Sequence, residues 1–227
     1  MEYSCFRVDP QPESVAALAE NYKALRLSAL VQSPSSFSST YEIESGFTDE
    51  WWQSRLQLPG RETFICAAKA PSSPAGDEVG EWVGQVTLLG PVAAQTYLLP
   101  EDAQQPPVLP DDEEEKWQML SLFTLPTHRG KGIAKLLCSE VFRWLRENKG
   151  ADGKPRPKQI RVRIMIKPEN TVTVKLYEGL GFKHAGKCTL AEALVANGDE
   201  ELVPVDGGGP IYHTRVGLIM ATTFERQ

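Results

Sequence analysis

The chain has 227 residues, 41% of them hydrophobic and 24% charged, with a formal net charge of -6. That length suits one large domain or two small ones and buries a sizeable core. The acid surplus argues against a general nucleic-acid binder, which needs Lys and Arg along phosphates, and no apolar run approaches the roughly 20 residues of a membrane span.

In chain order, FRV (6–8) reads as part of a first strand. Ser14 is placed to cap a helix in which Val15, Leu18, Tyr22, Leu25 and Ala29 recur at helical spacing. SPSSFSST (33–40) reads as a loop, and Thr48 as the cap of a second helix, DEWWQSRL, whose Asp49 and Glu50 suit the N-terminal dipole. ETFICAAKA (62–70) and EWVGQVTLLG (81–90) read as a strand hairpin, with PSSPAGDE (71–78) as its turn. From Pro91 to Glu115 the chain is rich in Pro, Gln and acid and ends in DDEEE, expected to be a solvated mobile loop or an acidic lid.

WQMLSLFTL (117–125) is apolar on both faces, as a central strand would be. A helix follows, marked by Ile133, Leu136, Leu137, Val141 and Leu145 and stopping at Asn148 to Gly150. ADGKPRPK (151–158) reads as a loop. In QIRVRIMI (159–166) the isoleucines and Val162 alternate with Arg161 and Arg163, which predicts a strand with one apolar and one charged face. Asn170 opens a short helix ended by Gly179 and Gly181; FKHAGK (182–187) begins a strand. Glu192 to Pro210 reads as a Gly-rich loop, and YHTRVGLIMATTF (212–224) as a last strand. This alternation predicts an α/β protein with a mixed sheet.

The four cysteines, Cys5, Cys66, Cys138 and Cys188, form no C-x-x-C pair, and with three scattered histidines they give no metal-ligand spacing. No metal site is expected. Free thiols in a reducing compartment are the expected state. MEYSCFRVDP has an acid at position 2 and no apolar core, so a signal peptide is not expected. A cytoplasmic protein is expected, with the nucleus as an alternative.

The chemistry concentrates in LPTHRGKGIAKLL (125–137), a basic, glycine-containing turn between strand and helix. The first N–H groups of a helix lack internal partners, and the helix dipole adds positive potential. An anion can be held there by backbone alone when no side chain blocks the approach. Gly130 and Gly132 supply that access, and Arg129, Lys131 and Lys135 add charge. Walker A spacing is absent. The dinucleotide pattern starting at Gly130 meets Lys135 where a third glycine belongs, leaving a nicotinamide oxidoreductase as a weaker reading.

The spacing Arg129-x-x-Gly132-x-Ala134, preceded by Pro126 and followed downstream by Asn170, Tyr177, Gly181 and Phe182, resembles the GNAT superfamily of acetyl-CoA-dependent N-acetyltransferases. The resemblance implies a mixed, mostly antiparallel sheet splayed at the acetyl-CoA site, with helices on both faces. It implies one N-acetyltransferase domain over 1–227, with insertions near 91–115 and 188–210. It assigns cofactor binding to backbone of Leu122, Phe123 and Thr124 and to Arg129, Gly130, Lys131, Gly132, Ile133 and Ala134. Asn170 would cap its helix and bond the pantetheine, and Tyr177 would be the general acid.

Some family members carry a glutamate base five residues before the Asn; here that position is Met165. Candidate bases are then Glu42 and Glu44, the DDEEE run at 111–115, and His213; His128, inside the turn, is a poor one. The acceptor is expected to be a cationic primary amine, on a small molecule, peptide or protein, taken by a monomer or homodimer. A coenzyme-A-binding sensor without transfer activity is the competing reading.

Overall fold

The computed structural model describes residues 1–70, 80–150 and 155–227. The turn expected over 71–78 lies outside the described residues, as does the first half of the loop expected over 151–158. In chain order the elements are β1 (Glu2–Arg7), α1 (Val15–Gln32), α2 (Tyr41–Glu44), α3 (Asp49–Gln57), β2 (Arg61–Lys69), β3 (Glu81–Leu89), α4 (Ala94–Tyr97) and β4 (Glu114–Thr124). Then come α5 (Ile133–Glu147), β5 (Gln159–Ile166), α6 (Thr171–Glu178), β6 (Lys183–Cys188), α7 (Leu190–Ala196) and β7 (Gly217–Glu225). The strands lie in the order β1-β2-β3-β4-β5-β7-β6. The β1–β2, β5–β7 and β6–β7 pairs are antiparallel, and β4–β5 is parallel. This is the mixed, mostly antiparallel α/β sheet expected from the sequence. Among the described residues, no helix is long and apolar enough to cross a membrane.

The chain divides into two compact units. The first comprises Met1–Leu88 and Ser121–Phe142. Its core forms where Tyr22, Leu25 and Ala29 of α1 and Trp52 and Leu56 of α3 meet Ile65 and Ala67 of β2. Each such buried side chain contributes about 1.5–3 kcal/mol. Cys5 and Cys66 lie on the opposite strand face, where Cys138 of α5 is close enough to perturb Cys5. Helices therefore cover both faces of this sheet portion. Thr48 caps α3 as its sequence implies, its side chain accepting from Trp51 N–H at 3.2 Å. Ser14 occupies the cap position of α1 but makes no cap bond; its hydroxyl instead donates to the Gln11 carbonyl at 3.3 Å.

The second unit comprises Leu89–Leu120 and Arg143–Gln227. Here β5 pairs along its full length with β7, from Gln159 opposite Glu225 to Ile166 opposite Leu218. Its apolar face, Ile160, Val162 and Ile164, is buried as the alternation predicts. The opposite, charged face is covered at Arg163, which is only 2% exposed. Its Nε donates to Gln118 Oε1 at 2.7 Å, Nη1 donates to the Tyr97 carbonyl, and the guanidinium lies 3.9 Å from the Tyr97 ring centroid.

Tyr97 reaches Arg163 because segment 91–115 is built rather than loose. It contains α4 and a 3-10 turn at 101–103, which bury Tyr97 and Ala103. Gly186 of β6 passes so close to this turn that a Cβ would lie 2.4 Å from the Ala103 carbonyl oxygen. Segment 188–210 likewise departs from the expected loop. It opens with α7, closed by a capping box in which Thr189 accepts from Glu192 N–H and Glu192 accepts from Thr189 N–H.

A candidate coenzyme A turn and active site

In the first unit, β4 runs out at Thr124, and Leu125 N–H donates to the Val83 carbonyl at 2.8 Å. A 3-10 turn at 126–128 follows, then Arg129–Gly132, then α5. Gly130 and Gly132 adopt φ of +75° and +82°, the left-handed region that side chains disfavour. A Cβ built on either would meet nothing within 4 Å, so the space above the turn is open. The α5 ladder begins with Leu136 N–H donating to Gly132 C=O at 3.1 Å. The N–H groups of Ile133, Ala134 and Lys135 thus have no partner within the helix. The Ile133 side chain turns inward and is buried. The turn thus leaves these N–H groups open to approach, and a Cβ on either glycine would narrow that opening.

The side chains of the turn brace it. His128 is buried, its Nδ1 3.1 Å from the Tyr3 hydroxyl and its ring edge-on to Tyr3. Lys131 sits 5.9 Å from the Tyr3 ring centroid. Arg129 folds back, Nε donating to the Thr124 carbonyl at 3.1 Å and Nη2 to Ser33 Oγ at 2.8 Å. Arg129 thus anchors the turn to the end of β4 and of α1. Phe123 is core, and Leu122 and Thr124 are half-buried, so these three residues offer main chain more than side chain.

The β4 strand pairs with β5 over only part of its length. Its parallel ladder with β5 covers only Glu114↔Gln159 to Gln118↔Arg163, whereas β4 continues to Thr124 and β5 to Ile166. Ser121 has φ of +56°, a local break in β4 just past the point of separation.

In the second unit, Asn170 caps α6, its Oδ1 accepting from Thr173 N–H at 3.3 Å. Tyr177, one residue from the end of α6, is 3% exposed and packs edge-on against Phe182 with ring centroids 5.1 Å apart. Gly181, at φ +88°, makes the turn that returns Phe182 to this contact, with Phe182 N–H donating to the Tyr177 carbonyl at 3.0 Å. The Gly-Phe pair thus has a physical task, fixing the Tyr177 ring.

Most of the candidate bases are occupied or displaced. Glu44 is buried and takes a bidentate ion pair from Arg26, at 2.8 and 2.6 Å. Glu42 lies exposed in the first turn of α2, its carboxyl held below the usual range by its own N–H and the Thr40 hydroxyl. The DDEEE run is divided. Glu114 and Glu115 belong to β4 and are buried, Glu114 against Arg161 and Glu115 against Arg156 and Arg226. Asp111 holds the fully buried Lys116 Nζ at 2.9 Å, a bond that lowers its pKa. Asp112 and Glu113 remain exposed. His213 does not sit on the last strand, since β7 starts only at Gly217; it follows a 3-10 turn at 210–212 and is exposed. Among the described residues no group of three or more His, Cys, Asp or Glu could hold a metal.

A strand, then a glycine turn and a helix N-terminus, leaves backbone N–H groups open to an anion. The family model described as "Acetyltransferase (GNAT) domain" matches residues 101–184. Over those residues the chain is similar to GNAT acetyltransferases.

Solved structures share the fold at low sequence identity. Arabidopsis thaliana NAA60 in complex with acetyl-CoA is 15% identical, with 98% of this chain and 99% of that one covered and a TM-score of 0.54. A GNAT-family acetyltransferase from Streptococcus pneumoniae is 13% identical over 98% and 99%, with a TM-score of 0.53. An aminoglycoside acetyltransferase from an uncultured soil metagenomic sample is 16% identical over 80% and 91%, with a TM-score of 0.50. No curated protein matches the sequence.

Proposed function

We propose that this protein moves the acetyl group of acetyl-CoA directly to a primary amine of a cationic acceptor. The observation that carries the reading is the Gly130–Gly132 turn, with two left-handed glycines, open space above them and unpartnered helical N–H groups beneath. On this reading the N–H groups of Gly130 to Ala134 hold the pyrophosphate, with Lys131 and Lys135 adding positive potential. Backbone of Leu122 to Thr124 pairs with the pantetheine amides, and Asn170 contributes a further bond. The thioester, when bound, supplies an activated acyl group.

Tyr177 is the proposed general acid, on the strength of its spacing from Asn170 and Gly181-Phe182. A phenol with pKa near 10 can donate its proton to a leaving thiolate of roughly comparable basicity. A lysine-like amine is neutral in only about one molecule in 2,500 at pH 7. Because Glu44, Glu114 and Glu115 are committed to arginines, we assign no carboxylate base; the acceptor enters as its small neutral fraction and sheds a second proton to water.

The acceptor's charge is inferred from Asp199, Glu200, Glu201 and Asp206 of the stretch 197–214, which holds no Lys or Arg; Glu192 before it is paired with Arg215. Such a field favours cationic amines. The test is release of free thiol from acetyl-CoA over a panel of amines: polyamines, aminoglycosides, lysine peptides and peptides with free N-termini. Turnover on a cationic member is expected, and Tyr177→Phe should lower kcat by about 10²-fold or more while leaving acetyl-CoA affinity within a few fold. Tight acetyl-CoA binding with no turnover on any amine would make the protein a sensor instead. An unchanged rate in the Tyr177 variant would remove the general-acid role.

A further inference from the structure

The cysteines that no sequence motif connects are brought together by the strands. In the β1–β2 register, Cys5 stands directly opposite Cys66. Each thiol perturbs the ionisation of the other, as near neighbours do. Residues directly opposed in an antiparallel pair have Cα atoms about 4.5–5.5 Å apart, inside the roughly 4.4–6.8 Å window of disulfides. β1 ends the strand order, so it has no strand on its other side to disturb as the two sulfurs close. Cys5 is partly exposed and Cys66 is fully buried.

We propose that Cys5 and Cys66 are an oxidisable dithiol, a modification site at which a peroxide converts two thiols into a cross-strand disulfide tying β1 to β2. The proton shared between the sulfurs prepares the pair. Cys66 is lowered by the bond from Cys5, while Cys5 is raised by that bond and by burial, so a thiolate in the pair is stabilised by the remaining S–H. Cys66, the sulfur held lower, takes the Cys5 proton as Cys5, the partly exposed partner, meets the oxidant. The Cys5 thiolate attacks one peroxide oxygen, the O–O bond breaks, and hydroxide leaves and is protonated to water. The Cys66 thiolate then displaces the sulfenic oxygen as a second water, forming the S–S bond. Two thiols lose two hydrogens, and one peroxide becomes two waters.

The other titratable groups facing this pair are Cys138 and Glu140 of α5, both of which raise Cys5. Cys138 is itself pushed up to about 12 by burial, and Cys188, in the second unit, up to about 11 by the same cause. Both stay thiols at neutral pH and do not compete as nucleophiles.

The test treats the full native chain with limiting hydrogen peroxide, alkylates the remaining thiols and maps peptides without reduction. The expected product is one disulfide, an intact mass lower by about 2 Da before alkylation, joining the peptides of Cys5 and Cys66. Cys5→Ser should abolish it, while Cys138→Ser, if folded by circular dichroism, should not. Oxidised protein should melt several degrees higher, because the bridge closes a loop of roughly 60 residues in the unfolded chain. Sulfinic acid at Cys5 without a cross-link, a bridge to Cys138, or no reaction under native conditions would each overturn the proposal.

Discussion

The Arg26–Glu44 pair gives the sharpest division between a structural and a chemical role for a carboxylate. Both groups are buried, at 9% and 5% exposure, and two hydrogen bonds of 2.8 and 2.6 Å join them. Arg26 also lies over the Phe37 ring and reaches Ser121 Oγ at 3.5 Å, so the pair ties α1 and α2 to the break in β4. Removing one partner of a buried pair costs about 3–5 kcal/mol. Glu44→Gln keeps the shape and one acceptor, so about 2–3 kcal/mol is expected. Unfolding entropy near 2.1 cal/mol/K per residue makes 1 kcal/mol worth about 2 °C in a chain of this length. Scanning calorimetry should therefore show Tm falling by about 4–6 °C, with the pH dependence of acetyl transfer unchanged in shape. A Tm within about 1 °C of the parent, together with loss of an acidic limb from the rate profile, would make Glu44 a base and refute the bracing role.

Without an assigned base, the rate should follow the free amine. The logarithm of kcat/KM should climb with a slope near one from roughly pH 6 to pH 9. A plateau beginning near neutrality would reveal a base that the ion-pair accounting misses. Arg215 holds Asp102 with bonds of 2.8 and 2.7 Å and also bonds Glu192, joining the turn at 101–103 to α7. Arg215→Ala should speed proteolytic cleavage within 199–216 several-fold; equal cleavage would mean the anchor carries no strain. Asp102 has its pKa lowered chiefly by the Arg215 bond. The anchor is thus complete above the ordinary carboxylate pKa and is lost as pH falls through the depressed value, so parent cleavage should rise only in acid.

Local chemistry was legible where neighbours in sequence are also neighbours in space. Thr48 and Asn170 cap the helices they precede, and the two glycines of the turn take the left-handed backbone their position demands. The capping box of α7 was equally local, T-L-A-E at 189–192, yet the glycines that follow obscured it. The charged groups were misread for a different reason. DDEEEK looks solvated because the cations that bury its second half, Arg156, Arg161 and Arg226, lie about 40 to 110 residues further along. Arg163 looked like the polar face of a strand, because nothing in QIRVRIMI announces that Tyr97 will cover it. The Cys5–Cys66 pair is likewise a product of strand register, which spacing in sequence does not encode.

The central claim is that the turn at 129–134 carries the cofactor's pyrophosphate, and acetyl-CoA calorimetry on Gly132→Asp tests it most directly. The new Cβ meets nothing in the protein within 4 Å, so the fold should survive with a backbone cost of about 1–2 kcal/mol. Bulk and negative charge should nonetheless weaken acetyl-CoA binding by about a hundredfold, or roughly 2.7 kcal/mol. A folded variant that binds acetyl-CoA as tightly as the parent would contradict the account.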